Sequence, residues 1–222
     1  MSTTVDPEEW AALWTGICEL SEYFPEGIVF IGGVAVYLHA RAGRVPENWI
    51  EFSHDGDLYI SLSDFGDLRD TEEVTANRRL TKHQFIKNGI DFDVYLEYNN
   101  GLRVPYADAR AHSVVIEQTR VASLESLLVL KLDAFAARRG RAKGRKDERD
   151  LIRIAHLMAP PYRPDRRQLK PYVTDRDVEL LDTVLRASPE FVKMSSDHKQ
   201  TKRLREDFAR LARLMRDVEA KP

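Results

Sequence analysis

From Ile90 to Tyr98 the sequence alternates without a break: Ile90, Phe92, Val94 and Leu96 on one parity, Asp91, Asp93, Tyr95 and Glu97 on the other. Successive side chains of a strand point to opposite faces, so this segment reads as a β-strand with one apolar and one acidic face. Asn88-Gly89 just ahead of it is a favoured two-residue turn, and residues 79–87 and 90–98 are expected to pair as an antiparallel hairpin. A second acidic strand is written in Ser53-His54-Asp55-Gly56-Asp57-Leu58-Tyr59-Ile60-Ser61, where Asp55 and Asp57 share a parity with Tyr59 and Ser61. Two neighbouring carboxylates repel, a cost most readily tolerated when a hard cation lies between them. Upstream, Phe30-Ile31-Gly32-Gly33 ends a short apolar run in a turn without Cβ atoms. A polyphosphate can approach the backbone N–H groups of such a turn at the start of the following helix.

A third carboxylate is expected from the hairpin. Parity alone leaves Asp91 and Asp93 equivalent; Asp93 is favoured because it sits nearer the middle of its strand. Asp55, Asp57 and Asp93, with Asp91 as the alternative, would then surround one or two divalent ions, Mg2+ or Mn2+. Gly56 between the first two acids weakens a strand and is expected to mark a bulge that re-aims Asp55.

Composition narrows the class without choosing a function. With 43% apolar residues in 222, an ordinary packed core is available, and a net charge of -2 argues neither for nor against a nucleic-acid partner. Cys18 is the single cysteine, which excludes an internal disulfide framework and a multi-cysteine zinc site. No apolar run approaches the roughly 18–20 residues of a membrane span, and residues 1–6 lack signal-peptide character, so a cytoplasmic protein is expected.

The pattern divides into an α/β half, residues 1–120, and a helical region, 121–222. Asp6 as N-cap and Pro7 open a helix carrying Trp10, Leu13, Trp14, Ile17 and Leu20. Strands are expected at 27–31, 58–62 and 113–117, and a helix at 34–41, with 63–76 as a polar connection. Beyond Ser123 follow an amphipathic helix, a basic loop over 138–145, a helix at 146–158, a Pro-rich linker at 159–171, and helices near 175–187 and 200–220.

A Gly-Gly pair opening a helix, an Asp-x-Asp strand and a further aspartate on a later strand resemble the polymerase-beta-type nucleotidyltransferase superfamily. Leu127-Leu128-Val129-Leu130-Lys131-Leu132-Asp133-Ala134-Phe135, Arg138, and Arg145-Lys146-Asp147-Glu148-Arg149-Asp150-Leu151 resemble the lysine helix, basic loop and Lys-Asp-x-x-Asp-Leu helix of its AbiEii-like branch, known for abortive-infection and toxin components. The resemblance spans roughly residues 28–158. It implies an α/β (α+β) fold with a small mixed sheet, flanking helices and a helical region after it. It also implies an enzyme that moves a nucleoside monophosphate from a nucleoside triphosphate to an acceptor hydroxyl with Mg2+. Asp55, Asp57 and Asp93 become the catalytic and metal-binding residues; Gly32, Gly33, Ser53, Lys131 and Asp147 become nucleotide- or phosphate-binding ones. The implied partners are RNA, transfer RNA included, and an antitoxin protein.

Several residues carry a second reading. At 100° per residue Lys131 falls on the core-facing arc with Leu124, Leu127, Leu128 and Phe135, and a buried ammonium needs a partner. It either faces the cleft and binds phosphate, which is preferred, or bridges to Asp147 or Asp150, which face the core of the next helix. Seven cations between Arg138 and Arg149 can neutralise RNA phosphates or form a solvated loop, Gly140 and Gly144 keeping it pliable. Trp49 and Tyr59 either stack on a base or pack; His54 is more simply a surface residue. Transfer to a small hydroxylated molecule such as an antibiotic, and a non-catalytic nucleotide- or partner-binding relative, are the alternatives to RNA modification.

Overall fold

The computed structural model describes residues 7–43 and 45–219. The cap expected at Asp6, the reading of residues 1–6, Arg44 and the expected helix end at Ala220 lie outside the described residues. The elements run α1 (Pro7–Tyr23), β1 (Ile28–Ile31), α2 (Gly32–Ala42), β2 (Gly56–Ile60), α3 (Leu62–Thr71), β3 (Thr75–Asn77), β4 (Lys82–Lys87), β5 (Ile90–Leu96), α4 (Tyr106–Ala111), β6 (Val114–Ile116) and β7 (Thr119–Val121). They continue as α5 (Leu124–Arg138), α6 (Ala142–Leu157), α7 (Arg166–Leu169), α8 (Asp175–Ala187), α9 (Glu190–Lys193) and α10 (His198–Glu219).

The described strands form one mixed sheet in the order β3-β4-β5-β2-β1-β7-β6. β4 and β5 pair antiparallel around Asn88-Gly89, β2 runs parallel to β5, and β1 returns antiparallel to β2. Asn88 and Gly89 both have positive φ, 55° and 77°, as a tight hairpin turn of this type demands. The α/β (α+β) expectation with a helical region after the sheet is met.

Two compact units divide the chain, one of Met1–Leu38 with Glu51–Ser123, the other of His39–Ile50 with Leu124–Pro222. The segment His39–Ile50, after most of α2, groups with the helices of the second unit. In the first unit α1 buries Leu13, Ile17 and Leu20 at helical spacing. Each such side chain contributes about 1.5–3 kcal/mol of apolar burial. A Cβ on Gly16 would stand 3.0 Å from the Phe92 ring, so glycine is what lets α1 lie close to β5. In the second unit α10 turns Leu204, Phe208, Leu211 and Met215 inward, and Phe208 meets Phe191 edge-on at 5.4 Å between ring centres.

Three sequence expectations need correction. The 63–76 segment is not a simple connection: Ser61 accepts the Asp64 backbone N–H at 3.1 Å, capping α3, and Phe65 and Leu68 are buried. A Ser cap contributes about 0.5–2 kcal/mol, enough to start a short helix among acids. The basic loop is shorter than 138–145, because α6 begins at Ala142. Gly144 is not there for pliability; a Cβ on it would stand 2.2 Å from the Arg138 carbonyl, and its absence allows α5 and α6 to approach.

Candidate functional site

β2 and β5 lie side by side in exact register: Gly56 opposite Phe92, Asp57 opposite Asp93, Leu58 opposite Val94. Partnered residues of adjacent strands share a face with their backbones about 4.8 Å apart, so Asp57 and Asp93 project together. Asp91 is exposed at the start of β5, opposite Ile86 of β4, with no β2 residue across from it. Of the two aspartates, Asp93 is therefore the one that stands across from Asp57.

The corner before α2 closes over this pair. Gly32 has φ +65°, and a Cβ built on it would meet Asp57 Oδ2 at 2.1 Å and Asp57 Cβ at 2.9 Å. Glycine is required twice, once for the left-handed backbone and once for the space the carboxylate fills. Gly33 is buried in the first turn of α2.

Gly56 makes no bulge. Pairing is continuous from Gly56 to Ile60, and a Cβ on Gly56 would stand 2.4 Å from the Phe92 ring. The residue is small because an aromatic ring from the neighbouring strand covers it. Asp55 lies in a bend one residue ahead of β2, half-buried, and not on the strand with Asp57. Its Oδ1 accepts from Ser53 Oγ at 3.1 Å. Ser53 is fully buried, so it positions Asp55 and is closed to a phosphate where it stands.

Two residues that the sequence analysis did not single out, Gln84 and Lys82, hold Asp93. Asp93 Oδ1 accepts from Gln84 Nε2 at 2.9 Å, and Asp93 Oδ2 is paired with the Lys82 ammonium. Asn77 Nδ2 in turn donates to Gln84 Oε1 at 3.0 Å. A polar row thus crosses the sheet from β3 to β2, with Lys82 as the counter-charge for Asp93. Among the described residues no three His, Cys, Asp or Glu side chains gather closely enough to hold a metal ion by themselves. On the other parity of β4, His83 packs against Phe65 at 4.7 Å; burial, and then the Arg69 charge, hold its pKa below the ordinary value.

The second unit realises the bridged reading of Lys131. The ammonium is buried, 2.6 Å from Asp150 Oδ2 and 3.5 Å from Asp147 Oδ1. Arg138 approaches Asp147 at 2.9 Å, Arg153 approaches Asp150 at 2.8 Å, and Arg153 Nε donates to the Trp49 carbonyl. Burial raises the Asp147 pKa, opposed by Lys131 and Arg138. For Lys131 or Asp147 to bind phosphate, this buried network would have to open. Of the seven expected phosphate-binding cations, Arg138 is thereby engaged and Arg149 is paired with Glu190 at 3.1 Å, while Arg139, Arg141, Lys143 and Arg145 are exposed.

Trp49 and Tyr59 pack. Trp49 is buried, donates to Gln200 at 3.2 Å and meets His156 edge-on; Tyr59 is buried and donates to the Val104 carbonyl at 2.5 Å. His54 is exposed beside Glu9. No helix among the described residues is long and apolar enough to cross a membrane.

Comparison with solved structures finds chains of similar fold. An antigenic nucleotidyltransferase-like protein from Paracoccidioides brasiliensis superposes with a TM-score of 0.57 at 18% identity, over 83% of this chain and 92% of that one. JHP933 from Helicobacter pylori gives a TM-score of 0.49 at 15% identity, over 97% and 93% of the two chains. No family model and no curated protein sequence matches the chain.

Proposed function

We propose that this chain is a nucleotidyltransferase that moves a nucleoside monophosphate from a nucleoside triphosphate to an acceptor hydroxyl on RNA, transfer RNA included, in a toxin-like role of the AbiEii type. The observation that supports it is the register that sets Asp57 across from Asp93 beside the Gly32 corner, in a fold of the nucleotidyltransferase-like class. Mg2+ is satisfied by one or two carboxylates together with substrate phosphates and water, so the hard oxygens of Asp57 and Asp93, with Asp55 close in sequence, fit that ion. A bound divalent cation would neutralise the triphosphate and stabilise the departing pyrophosphate.

The protein's own share is positioning. Contact with Gly32 confines the Asp57 carboxylate, and Gln84 holds one oxygen of Asp93. Lys82 must give up Asp93 as that carboxylate takes a cation or the proton of the attacking hydroxyl, and its charge is then available to phosphate oxygen. An antitoxin that masks the site belongs to the same reading.

A second reading, a non-catalytic nucleotide- or partner-binding relative, is favoured by one observation: Asp93 is already neutralised by Lys82. Each alpha-labelled nucleoside triphosphate, offered with Mg2+ and total RNA to wild type and to Asp57→Ala, separates the readings. Labelling of RNA by wild type and its loss in the variant support transfer to RNA. Equal labelling by both removes the site, label on an aminoglycoside alone selects a small-molecule acceptor, and nucleotide binding without transfer selects the non-catalytic relative.

A further inference from the structure

A cleft of about 950 Å3 opens within the second unit, between the end of α6, residues 159–162 and α10. One wall is cationic. Lys199, Lys202, Arg203 and Arg210 line it from α10, at spacings that put them on one helix face. Lys199 and Arg203 have no acidic partner among the described residues, Lys202 has Glu206 only at 4.0 Å, and Arg210 is held by Asp207 at 2.6 Å.

The floor is built, not incidental. His156 lines the cleft with its Nδ1 2.7 Å from Asp207 Oδ2, and the Asp207 side chain is only 5% exposed. Nδ1 is engaged by Asp207, which leaves Nε2 as the other polar atom of the ring. Trp49, edge-on at 4.8 Å between ring centres, fixes the imidazole plane. Tyr162 also lines the cleft, and its hydroxyl donates toward both oxygens of buried Glu125 at 2.9 and 3.0 Å. That clamp orients an aromatic face before any ligand arrives.

A fixed aromatic face beside a track of cations is how single-stranded nucleic acid is held, bases stacking while phosphates follow the charge. Lys199 and Arg210 stand eleven residues apart, about 16.5 Å along α10, which is roughly five nucleotides of a stacked strand. A mononucleotide would leave most of that row unused. His156 Nε2 adds a polar atom, and the ribose 2′-hydroxyl, which both donates and accepts, is the group that distinguishes RNA from DNA. We propose that this cleft is a binding site for a single-stranded RNA segment of roughly five nucleotides, stacked on Tyr162 and followed along its backbone by Lys199, Lys202 and Arg203. The site rests on the RNA-acceptor reading above and names the second unit as where that RNA is gripped.

The test is fluorescence anisotropy of a labelled ten-nucleotide single-stranded RNA, with EDTA present so that no transfer occurs, on the full chain. The arms are wild type, the double variant Lys199→Ala/Arg203→Ala, and Asp57→Ala. Both substituted cations are exposed, and circular dichroism checks that the double variant keeps its fold. Wild type and Asp57→Ala should bind alike; the double variant should bind about tenfold more weakly, with the slope of log affinity against log salt reduced by about 1.4. DNA of the same sequence should bind more weakly than RNA to wild type. Wild-type affinity in the double variant, equal affinity for RNA and DNA, or displacement of RNA by AMP as readily as by unlabelled RNA would overturn the proposal. Binding is scored without catalysis, so failure of the transfer reaction leaves this result standing, and the converse.

Discussion

Replacing Gly32 with alanine should damage the protein through two separable costs. The first is backbone: φ is +65°, where an L-residue loses about 1–2 kcal/mol. The second is steric. The new Cβ would stand 2.1 Å from Asp57 Oδ2, 2.8 Å from its Cγ and 2.9 Å from its Cβ. Rotating the carboxylate away relieves the first two contacts but not the third, so overpacking of about 1–3 kcal/mol adds to the backbone cost. The sum is about 2–5 kcal/mol, measured as the shift in urea midpoint at unchanged slope. In the double variant Gly32→Ala/Asp57→Ala only the contact with the Asp57 Cβ and the φ cost remain, so it should lose less than the two single variants summed. Gly66 is the control: nothing lies within 4 Å of its Cβ position in α3, and Gly66→Ala should stabilise by about 0.5–1 kcal/mol. A Gly32→Ala variant within about 0.5 kcal/mol of wild type would refute the close approach of Asp57 to the corner.

Lys131→Met leaves Asp147 and Asp150 facing one another in the core and should cost about 3–5 kcal/mol in urea unfolding; a loss below about 1 kcal/mol would mean the bridge is not a structural element. His83 has a folded pKa below its unfolded value of 6.5, so its contribution to stability is fully present above pH 6.5 and is lost as pH falls below that value and through the lower folded pKa. His83→Leu should therefore flatten the difference in urea midpoint between pH 7.5 and pH 5.5, and an unchanged difference would exclude this histidine as its source. Lys82→Met frees Asp93 and should raise Mn2+ affinity about tenfold by electron paramagnetic resonance, since a unit charge at contact distance opposes a cation by several kcal/mol at most. Lower affinity would place Lys82 among the groups that support the cation rather than compete with it.

How much of this was legible beforehand varies with how local its cause is. The hairpin and the two faces of β5 follow from alternation and from Asn88-Gly89 alone. The same turn also contained the pairing of Gln84 with Asp93, because residues equally distant from a two-residue turn face each other, and Lys82 follows two residues away. The core-facing lysine on α5 was legible from period 3.6, and so were its two acidic partners on α6; whether it stayed bridged or turned to a cleft was not, because both options satisfy the same periodicity. Gly56 could not be read locally at all, since its reason is a ring on another strand. Helix α3 was missed because only Leu62, Phe65 and Leu68 mark its apolar stripe among acids, although Ser61 with Asp64 gave a start signal. The cleft at α10 is invisible in sequence because its parts come from residues 156–162 and 199–210 and meet only through helix packing.

The most direct measurement is a crystal soaked with Mn2+ and a non-hydrolysable nucleoside triphosphate, located by anomalous scattering. Manganese is expected on Asp57 and Asp93, with phosphate oxygens at the Gly32 corner. Manganese elsewhere, with Asp93 still on Lys82, would contradict this.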